Sequence, residues 1–561
     1  MRKCIRRRPK AAGAQRKLDA MRLIGAVTAA TAAIAAVAVC SRAVLAVPEA
    51  DQPATPIQHL VVIYDENRSF DHYFATYPHA ANPPGEIPFV RIHGAAPVNN
   101  LETANLLTDN PNFTNPANGS GATNPFRLDR TQADTADQNH GYTPEQEAYD
   151  NGAADLFPKY TGNGTPGGSG AFGTTGQVMG YFDGNTVTAI WNYAQYFALD
   201  DNAYDATYGP STPGALEVVS GQTNGAVNIV GQSSSIADGE GGLTLIGDTD
   251  PAYDACSNPT NQVQMTSKNI GDLLNAANIT WGGFMGGFNL LLTNPNDSTG
   301  CHRSTFSSVI GGNITDYVPH HNWFQYFATT ANPTHARPSS VAAIGHSGDS
   351  ANHEYDLQDF FAAVRAGNFP TVSYIKEAAY QDAHPGNSDP LDEQEGLVKL
   401  VNFLEQQPEW KNTAVILTYD DTDGWYDHAY ATPTSASYDP TADQLNGAGQ
   451  CGAGVGTQPP PDGIAGKPVN GRCGPGSRIP FLVISPYAKM GYVSHVRITQ
   501  ASVVRFIEDN WLQGARLGGG SFDAGAGSIM DMFDFKTSLP DRKLFLDPTS
   551  GIIVSPTPPR P

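Results

Sequence analysis

Charged residues are scarce in this sequence, and basic residues are the scarcer of the two charge types. Only 16% of the 561 residues are Asp, Glu, Lys or Arg, whereas the chain contains 58 Gly and 42 Pro. The hydrophobic fraction of 40% argues against disorder throughout, because it supplies enough apolar surface for a large buried core. The Gly and Pro content indicates long, ordered loops laid over that core.

The N-terminus contains an apolar run, from about residue 23 to 39, which follows a cluster of Arg and Lys within residues 6–10. The run is Ala-rich and short for a membrane span, and small residues follow it at plausible cleavage positions. The pattern predicts that residues 1–46 are a signal peptide cleaved near Ala46. We therefore expect an exported protein, periplasmic or secreted, with no stable membrane anchor. A transmembrane anchor is the alternative interpretation.

Positive charge becomes scarcer still without that segment. Residues 1–46 contain ten basic residues and one acidic residue, so the 33 basic and 55 acidic residues of the chain fall to 23 and 54, a net charge of −31 with His neutral. Such a chain has no general basic field for nucleic acid or anionic membranes. An anionic substrate would require locally concentrated cations from a metal, His or Arg.

Cysteine is also rare, and four residues remain after the signal segment: Cys256, Cys301, Cys451 and Cys473. An even number in an exported chain predicts two disulfides. Proximity in the sequence favours the pairs Cys256–Cys301 and Cys451–Cys473. Four cysteines allow three pairings, and all three remain open at this point.

Solenoid or propeller repeats and heptads are absent, which favours a single globular architecture. Short apolar, β-branched segments resemble buried parallel strands, and they lie at 59–67, 279–285, 371–377, 414–420 and 479–486. Helical patterns lie between or after them, at 355–367, 393–407 and 499–512. This alternation predicts an α/β sandwich with a largely parallel central sheet. Long loop excursions are expected at 94–125, 161–176 and 432–472.

Two predicted strands end in oxygen-bearing side chains. "VVIYDEN" ends in Glu66 and Asn67, and "VILTYDD" ends in Asp420 and Asp421. Ligands of open α/β sheets bind beyond the carboxyl ends of the strands, and adjacent carboxylates repel one another unless a cation lies between them. The two ends therefore predict a metal site. A solvated acidic turn is the alternative, whereas the spacing does not match an EF-hand loop, because Tyr419 occupies the first ligand position.

The acidic run continues beyond that pair in "TDGWYDH", where we expect Asp423 and Asp427 to hold the turn and a neighbouring histidine. The segment "YGPSTPGALEVVSGQ" (208–222) predicts a tight turn into a helix, which would present the Ser211 hydroxyl as a nucleophile at the helix N-terminus. An ordinary helix-capping Ser or Thr is the alternative. Loop histidines can donate to phosphate oxygens and protonate a leaving group; they are His140, His320, His321 and His384.

Several long motifs carry a family resemblance, in the order "HLVVIYDENRSFDHYF", "GPSTP", "DYVPHHNWFQYF", "YQDAHPGNSDPLDEQ", "TYDDTDGWYDH" and "GPGSRIPFLVISPYAK". They resemble the bacterial phosphoesterase family of AcpA-type acid phosphatases and phosphocholine-hydrolysing phospholipases C. The resemblance covers residues from about Pro56 to Pro548. It implies an alkaline-phosphatase-like core within one catalytic domain, 47–561, in which 55–548 form the core and 549–561 a tail.

The resemblance also implies roles for individual residues. It implies one divalent metal ion of unknown identity, whose ligands are Glu66, Asn67, Ser211, Asp420 and Asp421. It places the substrate phosphate on His140, His321, His384 and Asn67, with Asp137 and His320 as neighbours in less certain roles. Ser211 matches the nucleophile of the family.

The implied function is an exported, metal-dependent acid phosphatase that hydrolyses phosphate monoesters of small substrates through a phosphoserine intermediate. The alternative is a phospholipase C-type phosphodiesterase acting on phosphocholine lipids. Gly214 and Ala215 stand where the phospholipase branch usually has Asn and Arg, and the pair Asp420 and Asp421 stands where it tends to have Asp-Glu; both departures favour the phosphatase branch. Ala215 also argues against a sulfatase, whose maturation motif requires Arg there. A calcium-stabilised binding protein without turnover is the alternative from another class.

Overall fold

The computed structural model describes residues 52–92, 96–452, 458–537 and 542–554. The predicted signal peptide, residues 1–46, lies outside the described residues. The fold below is that of the compact unit Pro53–Pro561. Within the described ranges, none of the helices combines the length and the apolar character needed to span a bilayer.

A central sheet of eight strands crosses the molecule. Its strands are β1 (His59–Asp65), β2 (Ala198–Asp200), β3 (Trp281–Met285), β4 (Glu354–Asp356), β5 (Val372–Lys376), β6 (Thr413–Tyr419), β7 (Phe481–Ile484) and β8 (Tyr492–Ser494). Their order across the sheet is β4-β3-β5-β1-β6-β7-β2-β8.

The strand β1 lies inside the sheet and runs parallel to both of its neighbours, β5 and β6. β3 is parallel to β4 and β5, and β2 is parallel to β8. Residues 60–64 of β1 are fully buried, which explains their continuous apolar sequence, because both faces of such a strand are covered. The prediction of an α/β sandwich with a largely parallel central sheet is confirmed.

One of the five predicted strands differs from the parallel pattern. β7, within the segment 479–486, runs antiparallel to β6 and to β2. The chain between β6 and β7 passes through the loop excursion 432–472. The described residues of that excursion, 432–452 and 458–472, form no crossover helix, and β7 enters the sheet in the direction opposite to β6.

The described residues contain ten α-helices. They are α1 (Phe70–Phe74), α2 (Pro111–Thr114), α3 (Tyr142–Tyr149), α4 (Phe157–Tyr160), α5 (Thr188–Tyr196), α6 (Ser211–Ser220), α7 (Ile270–Ala276), α8 (Leu357–Arg365), α9 (Pro390–Glu405) and α10 (Ala501–Trp511). The three helices predicted at 355–367, 393–407 and 499–512 correspond to α8, α9 and α10.

The start of α9 follows from its capping residues. The carboxylate of Asp389 accepts hydrogen bonds from the backbone N–H groups of Leu391 and Asp392 at 2.8 and 3.1 Å. Pro390 occupies the first helical position, where no N–H is needed. The helix therefore begins where the sequence supplies both an N-cap carboxylate and a proline.

A second sheet was not predicted. Its five strands are Asn224–Val230, Ser235–Ala237, Leu243–Leu245, Asp250–Pro251 and Gln262–Met265. Most of them have four residues or fewer, and the longest one exposes Val227, Ile229 and Val230 by 38–48%. Short strands in a Gly- and Ser-rich segment give too weak an alternation to be recognised in the sequence.

The covalent links and the C-terminal contacts complete the fold. The disulfides Cys256–Cys301 and Cys451–Cys473 form the pairing that sequence proximity favoured. The second disulfide ties the loop excursion 432–472 to its base. In the expected tail, the backbone oxygens of Thr549 and Gly551 accept hydrogen bonds from side chains of the core at 3.1 and 2.8 Å.

Candidate active site

The two acidic strand ends lie side by side. β1 and β6 are neighbours, and their last residues, Asp65 and Tyr419, are paired in the register. Directly beyond them, the backbone N–H of Asn67 donates to Asp420 Oδ1 at 3.0 Å. Parallel strands bring their carboxyl ends to the same edge of a sheet. Oxygen atoms that are more than 350 residues apart in the sequence therefore meet at one place.

Asn67 and Asp420 each have one side-chain atom engaged and one oxygen free. Asn67 Nδ2 donates to Asp423 Oδ1 at 3.1 Å, and Asp420 Oδ1 accepts from the backbone N–H groups of Asn67 and Asp421 at 3.0 and 2.8 Å. Asn67 Oδ1 and Asp420 Oδ2 are buried and have no hydrogen-bond partner. Buried oxygens without a partner carry a free-energy cost that a bound cation would remove.

Glu66 and Asp421 each direct one oxygen at the Ser211 hydroxyl. Ser211 Oγ lies 3.0 Å from Glu66 Oε2 and 3.2 Å from Asp421 Oδ2, and none of the three residues is more than 1% exposed. The other carboxylate oxygens are engaged, since Asp421 Oδ1 accepts from the Asp423 N–H at 2.6 Å and Glu66 Oε1 pairs with Lys376. Each of the five predicted metal ligands thus offers one oxygen to the site.

This donor set fits a hard divalent cation, which prefers carboxylate, amide and hydroxyl oxygens. Burial, followed by the charge of Glu66, raises the pKa of Asp420 to about 8. Burial and the charge of Asp420 likewise raise the pKa of Asp421 well above its ordinary value. Both shifts express the cost of burying neighbouring carboxylates, and a cation between them would offset that cost.

Three of the predicted histidines lie in compact groups next to the acidic strand ends. Two compact groups each bring three ligand atoms within 4.8 Å of one another. They are Glu66, His321 and His384, and Asp137, His140 and His384. Across the described ranges, the carboxylates of Glu66, Asp420 and Asp421 do not form such a compact group, and Glu66 and Asp421 are linked instead through Ser211 Oγ.

The three predicted phosphate-contacting histidines lie close together. The ring centroid of His384 is 6.3 Å from that of His140 and 5.8 Å from that of His321. His321 Nδ1 lies 3.1 Å from Glu66 Oε1, and His140 Nδ1 lies 3.2 Å from Asp423 Oδ1. Asp423 therefore supports a neighbouring histidine, as its position after the acidic pair indicated.

The histidines differ in their protonation. Burial lowers the pKa of His321 well below its ordinary value, and burial also lowers the pKa of His384. Burial acts on His140 in the same direction, but the carboxylates of Asp421 and Asp423 outweigh it and raise the pKa of His140 well above its ordinary value. The pKa of His140 is therefore shifted in the opposite direction to the pKa values of His321 and His384.

Ser211 is the first residue of α6, and two glycines allow its position. Gly209 has φ +128°, which favours glycine, and its N–H donates to Glu145 Oε2 at 3.2 Å. A Cβ atom on Gly214 would lie 2.0 Å from the backbone oxygen of Asp420. The first turn of α6 therefore packs directly against the strand end that carries the acidic pair.

Two buried charged residues of the site were missed in the sequence. Lys376, the last residue of β5, contacts Glu66 Oε1. The apolar strand "VSYIK" ends in this charge, but the sequence does not show that the strand lies beside β1. Glu145 on α3 accepts from the Gly209 N–H and from Thr422 Oγ1 at 3.2 and 2.9 Å. Its position gives no sequence signal, since α3 is an ordinary short helix with several polar residues.

The geometry can be compared with known proteins. The sequence model of the phosphoesterase family matches residues 57–512 of this chain. The chain belongs to the phosphoesterase family. This confirms the family to which the sequence motifs pointed.

Curated relatives of this phosphoesterase include two proteins named as phospholipases C. Non-hemolytic phospholipase C of Burkholderia pseudomallei is 25% identical over 509 residues, which cover 88% of this chain and 61% of the relative. Phospholipase C A of Mycobacterium tuberculosis is 25% identical over 486 residues, which cover 85% of this chain and 77% of the relative. The chain thus spans about three fifths of the length of the Burkholderia protein.

Among solved structures, a protein in the alkaline phosphatase superfamily from Vibrio parahaemolyticus matches with a TM-score of 0.27 and 12% sequence identity. The match covers 64% of this chain and 67% of that chain. A TM-score this low carries no argument about this phosphoesterase.

The contact of α6 with the strand end gives a first prediction. Gly214→Ala places a methyl group against the Asp420 carbonyl and should lower the free energy of unfolding by about 1–3 kcal/mol. Urea denaturation measures the change. Gly312→Ala is the matched control, because a Cβ there has no atom within 4 Å and should change stability by less than about 0.5 kcal/mol. Equal stability of the Gly214→Ala protein and the wild type would contradict the close packing.

Proposed function

We propose that this phosphoesterase is a metal-dependent acid phosphatase that hydrolyses phosphate monoesters, with Ser211 as the nucleophile. The observation that carries the proposal is the position of Ser211 Oγ, 3.0 Å from Glu66 Oε2 and 3.2 Å from Asp421 Oδ2, at the first residue of α6. A helix N-terminus favours a bound anion. Membership of the phosphoesterase family supports chemistry on phosphate esters.

In the proposed reaction, the substrate phosphorus lies in line with Ser211 Oγ. The Oγ–P bond forms while the bond from phosphorus to the leaving oxygen breaks, and the hydroxyl proton passes towards the carboxylates that face it. Water then attacks the phosphoserine, the Oγ–P bond breaks, and inorganic phosphate leaves. A divalent cation, bound by Glu66, Asn67, Ser211, Asp420 and Asp421, would supply positive charge for the oxygens that become negative.

The histidines contact the phosphoryl oxygens in this proposal, together with Asn67. His140 supports it most directly, because Asp421 and Asp423 keep its pKa high and a charged imidazole can donate a proton to the leaving oxygen. His321 Nδ1 lies 3.1 Å from Glu66 Oε1, and the ring of His384 stacks on that of His321, so both histidines lie on the side of Glu66. Because its raised pKa favours the protonated form, His140 would also give an anionic substrate a local cation within an otherwise acidic protein.

We infer that the substrates are small phosphorylated molecules and that the protein acts after export, in the periplasm or outside the cell. The two disulfides support an oxidising compartment. The net negative charge argues against nucleic acid as a substrate. Gly214, which allows α6 to approach Asp420, and the Asp-Asp pair favour the phosphatase branch of the family.

The nucleophile provides the main test. Ser211→Ala should lower kcat for an aryl phosphate by at least about 10³-fold, because no other group replaces the attacking oxygen. Mass spectrometry of acid-quenched wild-type enzyme should find phosphate on the peptide that contains Ser211. Ser220→Ala is the control, since this serine lies in the same helix and its Oγ donates to Lys268 O at 2.8 Å, away from the acidic pair. Full activity of the Ser211→Ala protein would refute the mechanism.

A phospholipase C-type phosphodiesterase is the second candidate, and the names of the curated relatives favour it. Assays with an aryl phosphate, an aryl phosphorylcholine and phosphatidylcholine separate the two activities. The phosphatase proposal predicts a higher kcat/KM for the aryl phosphate than for either choline ester. A preference for the choline esters would replace it with the phospholipase assignment, and no turnover of any ester would favour an acidic binding protein.

The charge of His140 predicts a pH dependence. The raised pKa keeps His140 protonated below that pKa, so activity should fall as the pH rises through it. Asp423→Asn removes a charge that raises the pKa and should move the alkaline limb of the kcat/KM profile to lower pH by about one unit. Asp443→Asn is the control, because this buried carboxylate binds Tyr142 and Ser437 instead of a histidine. An unmoved limb, or a profile that is flat from acid to alkaline pH, would exclude His140 as the acid.

A further inference from the structure

Lys376 is a buried cation at a third strand end of the same sheet. It is 1% exposed and ends β5, which neighbours β1. Its ammonium group contacts Glu66 Oε1 and donates to the backbone oxygen of Tyr64 at 3.2 Å. A lysine is almost never buried in this way unless an opposite charge pairs with it.

The surroundings of Lys376 keep it charged. Burial alone would lower the pKa of Lys376, but the charges of Glu66, Asp420 and Asp382 outweigh burial and raise that pKa above its ordinary value. The ammonium group therefore carries a charge opposite to that of Glu66, the side chain at the end of β1 that it contacts. It is a fixed positive charge inside a cluster of carboxylates.

Because of this contact, the two oxygens of Glu66 face different partners. Oε1 is held by Lys376 and lies 3.1 Å from His321 Nδ1. Oε2 lies 3.0 Å from Ser211 Oγ. Rotation of the carboxylate by half a turn would only exchange the two oxygens. A rotation that stops short of this would move both oxygens away from the ammonium group, so Lys376 restrains the plane of the carboxylate.

We propose that Lys376 is a positioning residue of the active site: it binds one oxygen of Glu66, so that a single oxygen faces Ser211, and its charge compensates that of Glu66 when no cation is bound. This inference rests on the metal site and the nucleophile proposed above. Two of the three donors of the ammonium group contact Glu66 Oε1 and the Tyr64 carbonyl, and the side chain is buried, so we assign Lys376 a role that acts through Glu66.

The charge component is tested by thermal unfolding of the full chain in EDTA. Lys376→Met leaves Glu66 without its partner and should lower the midpoint by roughly 3–5 °C. Adding Glu66→Gln to that variant should restore most of the loss, because the uncompensated charge is then absent. Lys399→Met is the control, since this lysine is 56% exposed and pairs with Glu395 on the surface; it should leave the midpoint unchanged.

Two outcomes of this cycle would overturn the charge component. In the first, Lys376→Met lowers the unfolding midpoint by as much in the Glu66→Gln protein as it does in the wild type. The other is a double variant that does not fold, because its failure could not come from an unpaired Glu66. If Lys376→Met alone fails to fold while the double variant folds, the inference is supported. None of these results depends on turnover, so they stand apart from any failure of the proposed phosphatase activity.

The positioning component is tested in enzyme assayed with Mn²⁺ as the added metal. Lys376→Met should lower kcat for an aryl phosphate at least about tenfold, because misplacement of a reacting group acts on the chemical step, while KM changes less than about twofold. Lys399→Met should change neither constant. A Lys376→Met enzyme with the kcat of the wild type would show that Lys376 does not position Glu66 for the reaction.

Discussion

The active site depends on the burial of negative charge at two neighbouring strand ends. Glu66, Asp420 and Asp421 are each 1% exposed or less, and carboxylates in such surroundings resist ionisation unless positive charge or hydrogen bonds hold them. The fold meets this constraint by engaging one atom of each ligand head group. The oxygen that remains is the one offered to Ser211 or to a cation. Backbone N–H groups hold Asp420 and Asp421, whereas the side chains of Lys376 and Asp423 hold Glu66 and Asn67.

The acidic residues next to the site are paired with buried positive charge or histidine. Arg478 is fully buried and binds Asp427 and Asp71 at 3.1 and 3.2 Å. His428 binds Asp71 as well, at 2.5 Å. These contacts pair the acidic residues that follow Asp420 and Asp421 with positive charge, and they anchor the turn between β6 and the loop excursion. The acidic run after β6 thus divides into the proposed metal ligands and residues that support the turn.

Features that a short sequence segment encodes could be predicted from the sequence. Features that depend on contacts between distant segments could not. The strand ends were recognisable because a continuous apolar run stops at a carboxylate, and Ser211 because glycine and proline precede a helical pattern. The second sheet was missed, since its short strands lack alternation. Lys376 was missed because one charge after a strand has no meaning until β5 is known to lie beside β1. The opposite pKa shifts of His140 and His321 follow from burial and from the 3.2 Å contact of His140 with Asp423, which no sequence pattern reports.

The central claim is that five oxygens of Glu66, Asn67, Ser211, Asp420 and Asp421 form one site for a divalent cation. The most direct measurement is the metal content of the purified full chain by mass spectrometry, after equilibration with a mixture of Mg²⁺, Ca²⁺, Mn²⁺ and Zn²⁺ and removal of free ions. The account predicts about one tightly bound divalent ion per chain in the wild type, since each ligand oxygen belongs to a single site, and far less in the Asp420→Asn and Asn67→Ala proteins. A wild type without bound metal, or unchanged metal content in both variants, would contradict it.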